Sequence, residues 1–234
     1  MTPSRIGLLG GSFDPPHFGH LHVARSAREE LALDRVRLIP AARPPHKLGR
    51  TLAEDRHRLA MLELLKGSTA WLEIDPRELQ RGGTSFTYET LIELRRELAP
   101  IDLRRELAPA APAAPRNAAK PFELFFLIGS DSLVDLPGWH RAADLVELAT
   151  FVTVPRDAES LDLGREKVRK HLPFAADRVL AHVLDAEILP ISSSQIRARV
   201  AAGLPIVELV PKAIAEYIDQ HRLYRHPEAT GAAG

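Results

Sequence analysis

The sequence predicts a doubly wound α/β fold, a parallel sheet covered by helices on both faces, with a small helical part at the C-terminal end. Short apolar runs alternate with stretches of helical period along most of the 234 residues, the pattern of strands joined by right-handed crossovers. One run, Phe122–Ile128, is nearly continuous in apolar residues, as a central strand buried on both faces requires. The first run, Arg5–Leu9, stops at Gly10-Gly11-Ser12 and gives way at once to an amphipathic stretch, a strand feeding a helix. At roughly 100–200 residues per domain, this length suits one domain. The expected division is a single domain over residues 1–226 with an insert at about 95–119, then a disordered tail over 227–234.

Each element follows from local pattern. In Phe18–Leu33 the apolar positions Phe18, Leu21, Ala24, Ala27 and Leu31 recur at helical steps, with Arg25, Arg28, Glu29 and Glu30 between them. Val36–Pro40 is the next strand, which completes a βαβ unit in about 35 residues. Asp55–Lys66 is expected to be a helix, Trp71–Asp75 a strand, Thr87–Leu98 a helix and Phe122–Ile128 the central strand. Beyond it, Trp139–Ala149 is expected to be helical, Thr150–Pro155 a strand, Glu166–Leu172 a short helix and Val179–Leu184 a strand. Gln195–Ala202 and Pro211–His221 close the chain as helices, with Pro211 in the first turn that proline tolerates.

One segment departs from the alternation. Leu94-Arg-Arg-Glu-Leu-Ala-Pro100 recurs as Leu103-Arg-Arg-Glu-Leu-Ala-Pro109 and runs into the Ala/Pro-rich stretch 110–119, a local duplication followed by a stiff linker. Its arginines could form a phosphate patch, but a solvated helical face is the plainer reading. Composition narrows the function. The absence of cysteine excludes a disulfide framework, a thiol nucleophile and cysteine-ligated metal. The balance of 31 basic and 31 acidic side chains argues against a general binder of nucleic acid or membrane. With no long apolar run and no signal-peptide core, the expected compartment is the cytoplasm.

The chemistry concentrates in Gly10-Gly11-Ser12-Phe13-Asp14-Pro15-Pro16-His17-Phe18-Gly19-His20. In open α/β sheets ligands bind beyond the carboxyl ends of the strands, where this loop falls. Gly10 and Gly11 are expected to turn the backbone sharply and let it approach a ligand. His17 and His20, three residues apart at a helix start, can project from one face. Helix-start N–H groups favour anions, so the two imidazoles mark a phosphate-binding corner, and Gly19 is expected to leave a phosphate room. The alternatives are a His17–His20–His22 metal site, which lacks a carboxylate at ligand spacing, and a dinucleotide fingerprint, whose G-x-G-x-x-G is missing. A second signal is Ile191-Ser192-Ser193-Ser194-Gln195-Ile196-Arg197, in which hydroxyls cap a helix and Arg197 offers a fork-shaped cation one turn on. A serine cap alone is ordinary; its weight comes from the pairing with the first motif.

These residues have the forms G-G-[ST]-F-D-P-x-H-x-G-H and I-S-S-[ST]-x-x-R. With Pro44-Pro45-His46-Lys47, Ser85-Phe86-Thr87, Ile128-Gly129-Ser130-Asp131 and Trp139-His140-Arg141, the chain resembles the nucleotidyltransferases related to class I aminoacyl-tRNA synthetases, and among them the bacterial nicotinate-nucleotide adenylyltransferases. The resemblance implies a Rossmann-like nucleotidyltransferase fold. It also implies an enzyme that transfers AMP from ATP, with Mg²⁺, to nicotinate mononucleotide, giving deamido-NAD and pyrophosphate without a covalent enzyme intermediate.

Carried over residue by residue, the resemblance implies that His17 and His20 contact the ATP phosphates, with His20 nearest the reacting centre. Arg197 joins them in catalysis. Ser192, Ser193 and Ser194 would hold the β- and γ-phosphates, while Gly10, Gly11, Ser12, Phe13 and Gly19 shape the nucleotide loop. Gly129 and Asp131 would border the adenosine. His46, Lys47, Thr87, Trp139, His140 and Arg141 would receive the mononucleotide, with Trp139 stacking on the pyridine; its alternative is a core aromatic at a helix start. No protein-held metal site is expected, and a homo-oligomer is left open. Ser12 and Ser194 stand where threonine is common and keep a hydroxyl; Phe86 stands where tyrosine is frequent and loses one. Rival readings are a pantetheine-phosphate adenylyltransferase, an enzyme preferring the amide mononucleotide, and a nucleotide-binding regulator without catalysis.

Overall fold

A computed structural model describes residues 2–43, 52–99, 121–187 and 189–225. Within them runs a five-stranded sheet, every pair parallel, in the order β3-β2-β1-β4-β5. The strands are β1 (Ser4–Gly11), β2 (Arg35–Pro40), β3 (Leu72–Ile74), β4 (Phe122–Gly129) and β5 (Thr150–Val154). The chain leaves β1 toward β2 on one side and returns to β4 on the other, so the winding direction reverses between β1 and β4. β1 and β4 pair from Ser4 opposite Phe122 to Leu9 opposite Leu127.

Both faces are covered, and the period of two along β4 shows why its sequence had to be apolar throughout. Phe125 and Leu127 join the core on one face, while Leu124, Phe126 and Ile128 join the core on the other. Helices α1 (Phe18–Glu30) and α2 (Asp55–Lys66) cover the first face, whose core takes in Ala24 and Ala27 from one and Met61, Leu62 and Leu65 from the other. The C-terminal helices α9 (Ser193–Ala201) and α10 (Lys212–Gln220) complete that face through Ile196, Ile214 and Ile218. Helix α4 (Thr87–Leu98), α5 (Ser130–Asp135), α6 (Ala142–Leu148), α7 (Ala158–His171) and α8 (Ala176–Leu180) belong to the second face, with the short α3 (Arg77–Arg81) leading into α4.

Helices α2 and α4 have the predicted boundaries. Elsewhere the fold corrects local pattern. Val179–Leu184 is not a strand: Val179 closes the α8 turn, and only Val183 bridges to Thr153, held by the Thr153 N–H to His182 O (2.9 Å) and Leu184 N–H to Thr153 O (2.8 Å) bonds. Ala176, Val179 and Leu180 pack at helical spacing on the second core, a pattern that an apolar run of this length shares with a strand. Trp139–Arg141 is loop, not helix, because a 3₁₀ turn over Leu136–Gly138 ends first and Arg141 is left-handed (φ 56°). Helix α7 starts eight residues before the expected Glu166, because Asp157 caps it by accepting from the Ser160 N–H at 2.6 Å.

Of the duplicated segment, Arg95–Ala99 is described and residues 100–119 lie outside the described residues, as does the 227–234 tail. The first copy is an integral part of α4. Leu94 is fully buried, and Arg95 donates to the Leu148 carbonyl at 2.9 Å over the Phe122 ring rather than facing solvent alone. No helix among the described residues is long and apolar enough to cross a membrane.

Candidate active site

A cleft of about 510 Å³ opens at the carboxyl ends of β1, β4 and β5, over the point where the winding reverses. Gly10, Gly11, Ser12, His17, Gly19 and His20 line it from the N-terminal motif, and Ser192, Ser193 and Ser194 from the C-terminal one. Two segments about 175 residues apart in sequence therefore share one cavity. They are also bonded directly: Ser193 Oγ donates to the Pro15 carbonyl at 2.9 Å, and Arg197 Nη1 donates to the Asp14 carbonyl at 2.5 Å.

The loop that carries this junction is built on Asp14, which is 1% exposed. Its Oδ1 accepts from the Ala53 N–H at 3.2 Å and the Tyr224 hydroxyl at 2.7 Å, so the end of the chain is tied to its beginning. Gly10 and Gly11 do not make the sharp turn; they finish β1. The left-handed residue is Phe13 (φ 47°), a conformation that costs a non-glycine residue roughly 1–2 kcal/mol. Burial offsets it: Phe13 is 1% exposed, lies 4.8 Å from the His20 ring, and leaves no space for a Cβ at Gly11, which would stand 3.3 Å from its own ring. Phe13 thus shapes the loop from beneath and is not on the cleft surface.

The imidazoles of His17 and His20 lie 3.8 Å apart at the start of α1. The His17 N–H donates to His20 Nδ1 at 3.2 Å, which leaves the ring proton of His20 on Nε2. His17 itself is 6% exposed, and its Nδ1 is buried with no partner. Burial first, and the nearby Arg156 cation second, lower its pKa to about 4, so His17 is neutral at pH 7. Gly19 has a second function beside the one expected of it: a Cβ there would stand 3.0 Å from the His17 ring.

The titration of His17 gives a testable consequence. Between its ordinary value of 6.5 and about 4, the unfolded chain takes up a proton that the folded chain refuses. Stability attributable to His17 is therefore present above pH 6.5 and lost as pH falls toward 4, on the order of 3 kcal/mol in all. Urea unfolding of wild type and His17→Asn at pH 7.5 and pH 4.5 should show the smaller acid loss in the variant. Equal losses would contradict the burial argument.

At the carboxyl end of β4, Gly129 and Asp131 line the cleft, and Arg156 lines it beside them. Asp131 Oδ1 and Arg156 Nε are 3.2 Å apart, and a Cβ on Gly129 would fall 2.3 Å from that oxygen and 2.9 Å from that nitrogen. The sequence offered one sign of Arg156: it stands just past Pro155 at the carboxyl end of β5. Arg197 does not line the cleft; its guanidinium spans the Asp14 carbonyl and Ser194 Oγ (2.9 Å).

Thr87 and Trp139 line the opposite end, where Trp139 meets Phe126 edge to face at 6.3 Å. Trp139 packs against the second core and also walls the cleft. His140 and Arg141 lie outside the lining: His140 stands against Phe86 (4.9 Å) and Glu89 (3.5 Å), and Arg141 covers Tyr88 (3.9 Å) and holds Asp144 (2.6 Å). His46 and Lys47 lie outside the described residues.

Sequence reasoning missed Arg58, which is fully buried. It donates to the carbonyls of Ser12 (2.9 Å), Ala41 (2.7 Å) and Ala53 (3.2 Å), and pairs with Asp55 at 2.5 Å. One guanidinium thus fixes the loops that follow both β1 and β2. A sign was present: Arg58, Met61, Leu62 and Leu65 form the buried stripe of α2, so an arginine occupies a core position.

Comparison with known proteins agrees with this geometry. The family model described as cytidylyltransferase-like matches residues 8–199. A probable nicotinate-nucleotide adenylyltransferase of Thermomicrobium roseum is 39% identical, the match covering 97% of this chain and 94% of that protein. One of Pseudomonas syringae pv. tomato is 38% identical over 98% of each. Among solved structures, the Plasmodium falciparum nicotinic acid mononucleotide adenylyltransferase complexed with NaAD superposes with a TM-score of 0.63 at 20% identity, covering 94% of this chain and 97% of that one, a likeness of fold. The matched family residues run from β1 into α9 and so take in both halves of the cleft, and the chain belongs to the cytidylyltransferase-like family, among the nicotinate-nucleotide adenylyltransferases.

Proposed function

We propose that the chain adenylylates nicotinate mononucleotide: a phosphate oxygen of the mononucleotide attacks the α-phosphorus of MgATP, the bond to the β-phosphate oxygen breaks, and deamido-NAD and pyrophosphate leave. The attacking oxygen is already anionic, so the reaction needs no nucleophilic side chain and no proton removed from the acceptor. It needs two anions held in line, and charge stabilised on the transferring group and the departing pyrophosphate. The observation that carries this reading is the convergence of the imidazole pair and the serine turn on one cleft, with Ser193 bonded to Pro15.

In this reading the triphosphate lies between His17, His20 and Ser192–Ser194. His20 Nε2–H and the neutral His17 donate to it, while Gly10, Gly11, Ser12 and Gly19 form its floor. The Arg156 cation adds to this side, and Arg197 holds Ser194 and the Asp14 loop in place. Adenosine lies over Gly129, with Asp131 accepting from a ribose hydroxyl. The pyridine enters between Thr87 and Trp139. Backbone donors near Trp139 receive the nicotinate carboxylate, and a site built for that charge rejects the neutral amide because its donors would go unpaired. Mg²⁺ arrives as part of the nucleotide substrate.

The names of the relatives favour this acceptor over phosphopantetheine. The test is pyrophosphate release from MgATP with nicotinate mononucleotide, nicotinamide mononucleotide or phosphopantetheine. The acid is expected to exceed the amide by at least about tenfold in kcat/KM, with no turnover of phosphopantetheine. Equal use of acid and amide would remove the carboxylate pocket, and no turnover of either would remove the reaction.

A further inference from the structure

One charged group on the cleft wall has no part in the reaction described above. Glu78, at the start of α3, is 7% exposed and lines the same end as Thr87 and Trp139. Its Oε1 accepts from the Thr90 hydroxyl at 2.6 Å, and Ser85 brings a second buried hydroxyl close to it. Each hydroxyl has a donor on its outer side. Arg81 Nη2 donates to Thr90 Oγ1 at 3.0 Å, and the Ala42 N–H donates to Ser85 Oγ at 2.9 Å.

The polarity of this chain is forced. With the Arg81 guanidinium donating to it from outside, the Thr90 hydroxyl sends its one proton to Glu78 Oε1 at 2.6 Å, nearer than its other acceptor, the Phe86 carbonyl at 3.4 Å. That proton needs an oxygen to receive it, which the Glu78 side chain provides and a thioether of the same length does not. Burial pushes the Glu78 carboxyl up, while Thr90, Ser85 and the Arg81 charge hold it down and Glu93 opposes them. Ser85, Thr90 and Glu78 are all buried, so the bonds form out of water, where each is hardest to replace. Through them the start of α4, which carries Thr87, is fastened to Ala42 beyond β2, whose neighbour Ala41 is held by Arg58.

We infer that Glu78 is a positioning residue for the mononucleotide: its side chain holds Thr90, and with it the start of α4 that carries Thr87, in the wall that receives the pyridine, and it leaves ATP binding untouched. This rests on the assignment of the pyridine to that end of the cleft. Glu78→Met keeps the length but removes the oxygen that accepts the Thr90 proton. Its KM for nicotinate mononucleotide should rise about tenfold, the scale of one lost buried bond. KM for ATP should stay within about twofold and kcat within about threefold. Thr90→Val should behave like Glu78→Met, and Thr90→Ser, which keeps the hydroxyl, should restore the wild-type KM; this pair decides the question if Glu78→Met does not fold. Calorimetric titration of the folded variants with mononucleotide alone should show the same weakening without turnover. An unchanged mononucleotide KM, or KM values for both substrates rising together, would overturn the inference. A wild-type protein that releases no pyrophosphate would instead remove the function it rests on.

Discussion

His20→Ala lowers turnover by at least about two orders of magnitude while the protein stays folded, the scale on which removal of one preorganised donor to developing charge acts. The bond from the His17 N–H to His20 Nδ1 is what preorganises it, since it selects the tautomer with the proton on Nε2 and holds the ring at 3.2 Å from the helix start. Alanine removes both the donor and the acceptor for the His17 N–H, so a small loss of stability accompanies the kinetic loss. A useful contrast is His20→Asn, whose side-chain carbonyl can accept from the same N–H while its amide donates at shorter reach. It should stabilise the fold relative to alanine and recover only part of the rate. Steady-state kinetics with circular dichroism of the same samples separates the two effects. An alanine variant within about fivefold of wild type in kcat would refute the role assigned to this ring.

Arg58→Met should destabilise the protein by about 3–5 kcal/mol, lowering the thermal midpoint by roughly 10 °C. Methionine fills much of the same volume beside Met61 and Leu62, so the cost is not a cavity. It comes from three carbonyls, on Ser12, Ala41 and Ala53, that lose their donors together. Arg58→Lys keeps the charge but places a single nitrogen where a fork is needed, and should fall between the two. Because Ser12 belongs to the cleft and Ala41 follows β2, the folded fraction of Arg58→Met should also bind ATP more weakly. A midpoint within about 2 °C of wild type would show that the loops hold each other without the guanidinium.

The sequence was most legible where information is local. Helices α2 and α4 were placed to the residue because their apolar stripes and terminal residues lie within a dozen positions. The two motifs that meet in the cleft were legible for the same reason, each being a run of residues whose spacing alone carries meaning. The misreadings occurred where neighbours distant in sequence decide. Val179 could be helix or strand until the second core claimed it, and Gly10 and Gly11 looked like a turn until Phe13 folded beneath them. Charged side chains were the hardest. Arg58 and Glu78 are buried and Arg156 lines the cleft, yet all three look like solvated positions in a sequence with 31 residues of each sign; only a place on a core stripe for Arg58 and one near a strand end for Arg156 set them apart.

Sequence by itself determined the class of fold, the strand–helix order and the residue types available to hold a polyphosphate. The periods of two and near four, and the placing of glycine, proline and serine, are short-range consequences of backbone geometry. Only the tertiary structure decided which of those residues meet. Arg197 reaches Asp14 across 183 positions and Tyr224 reaches the same residue across 210. It also decided their protonation: His17 is neutral because the fold buries it beside Arg156. Desolvation and charge pairing depend on distance in space, and a linear pattern does not contain that distance until packing supplies it.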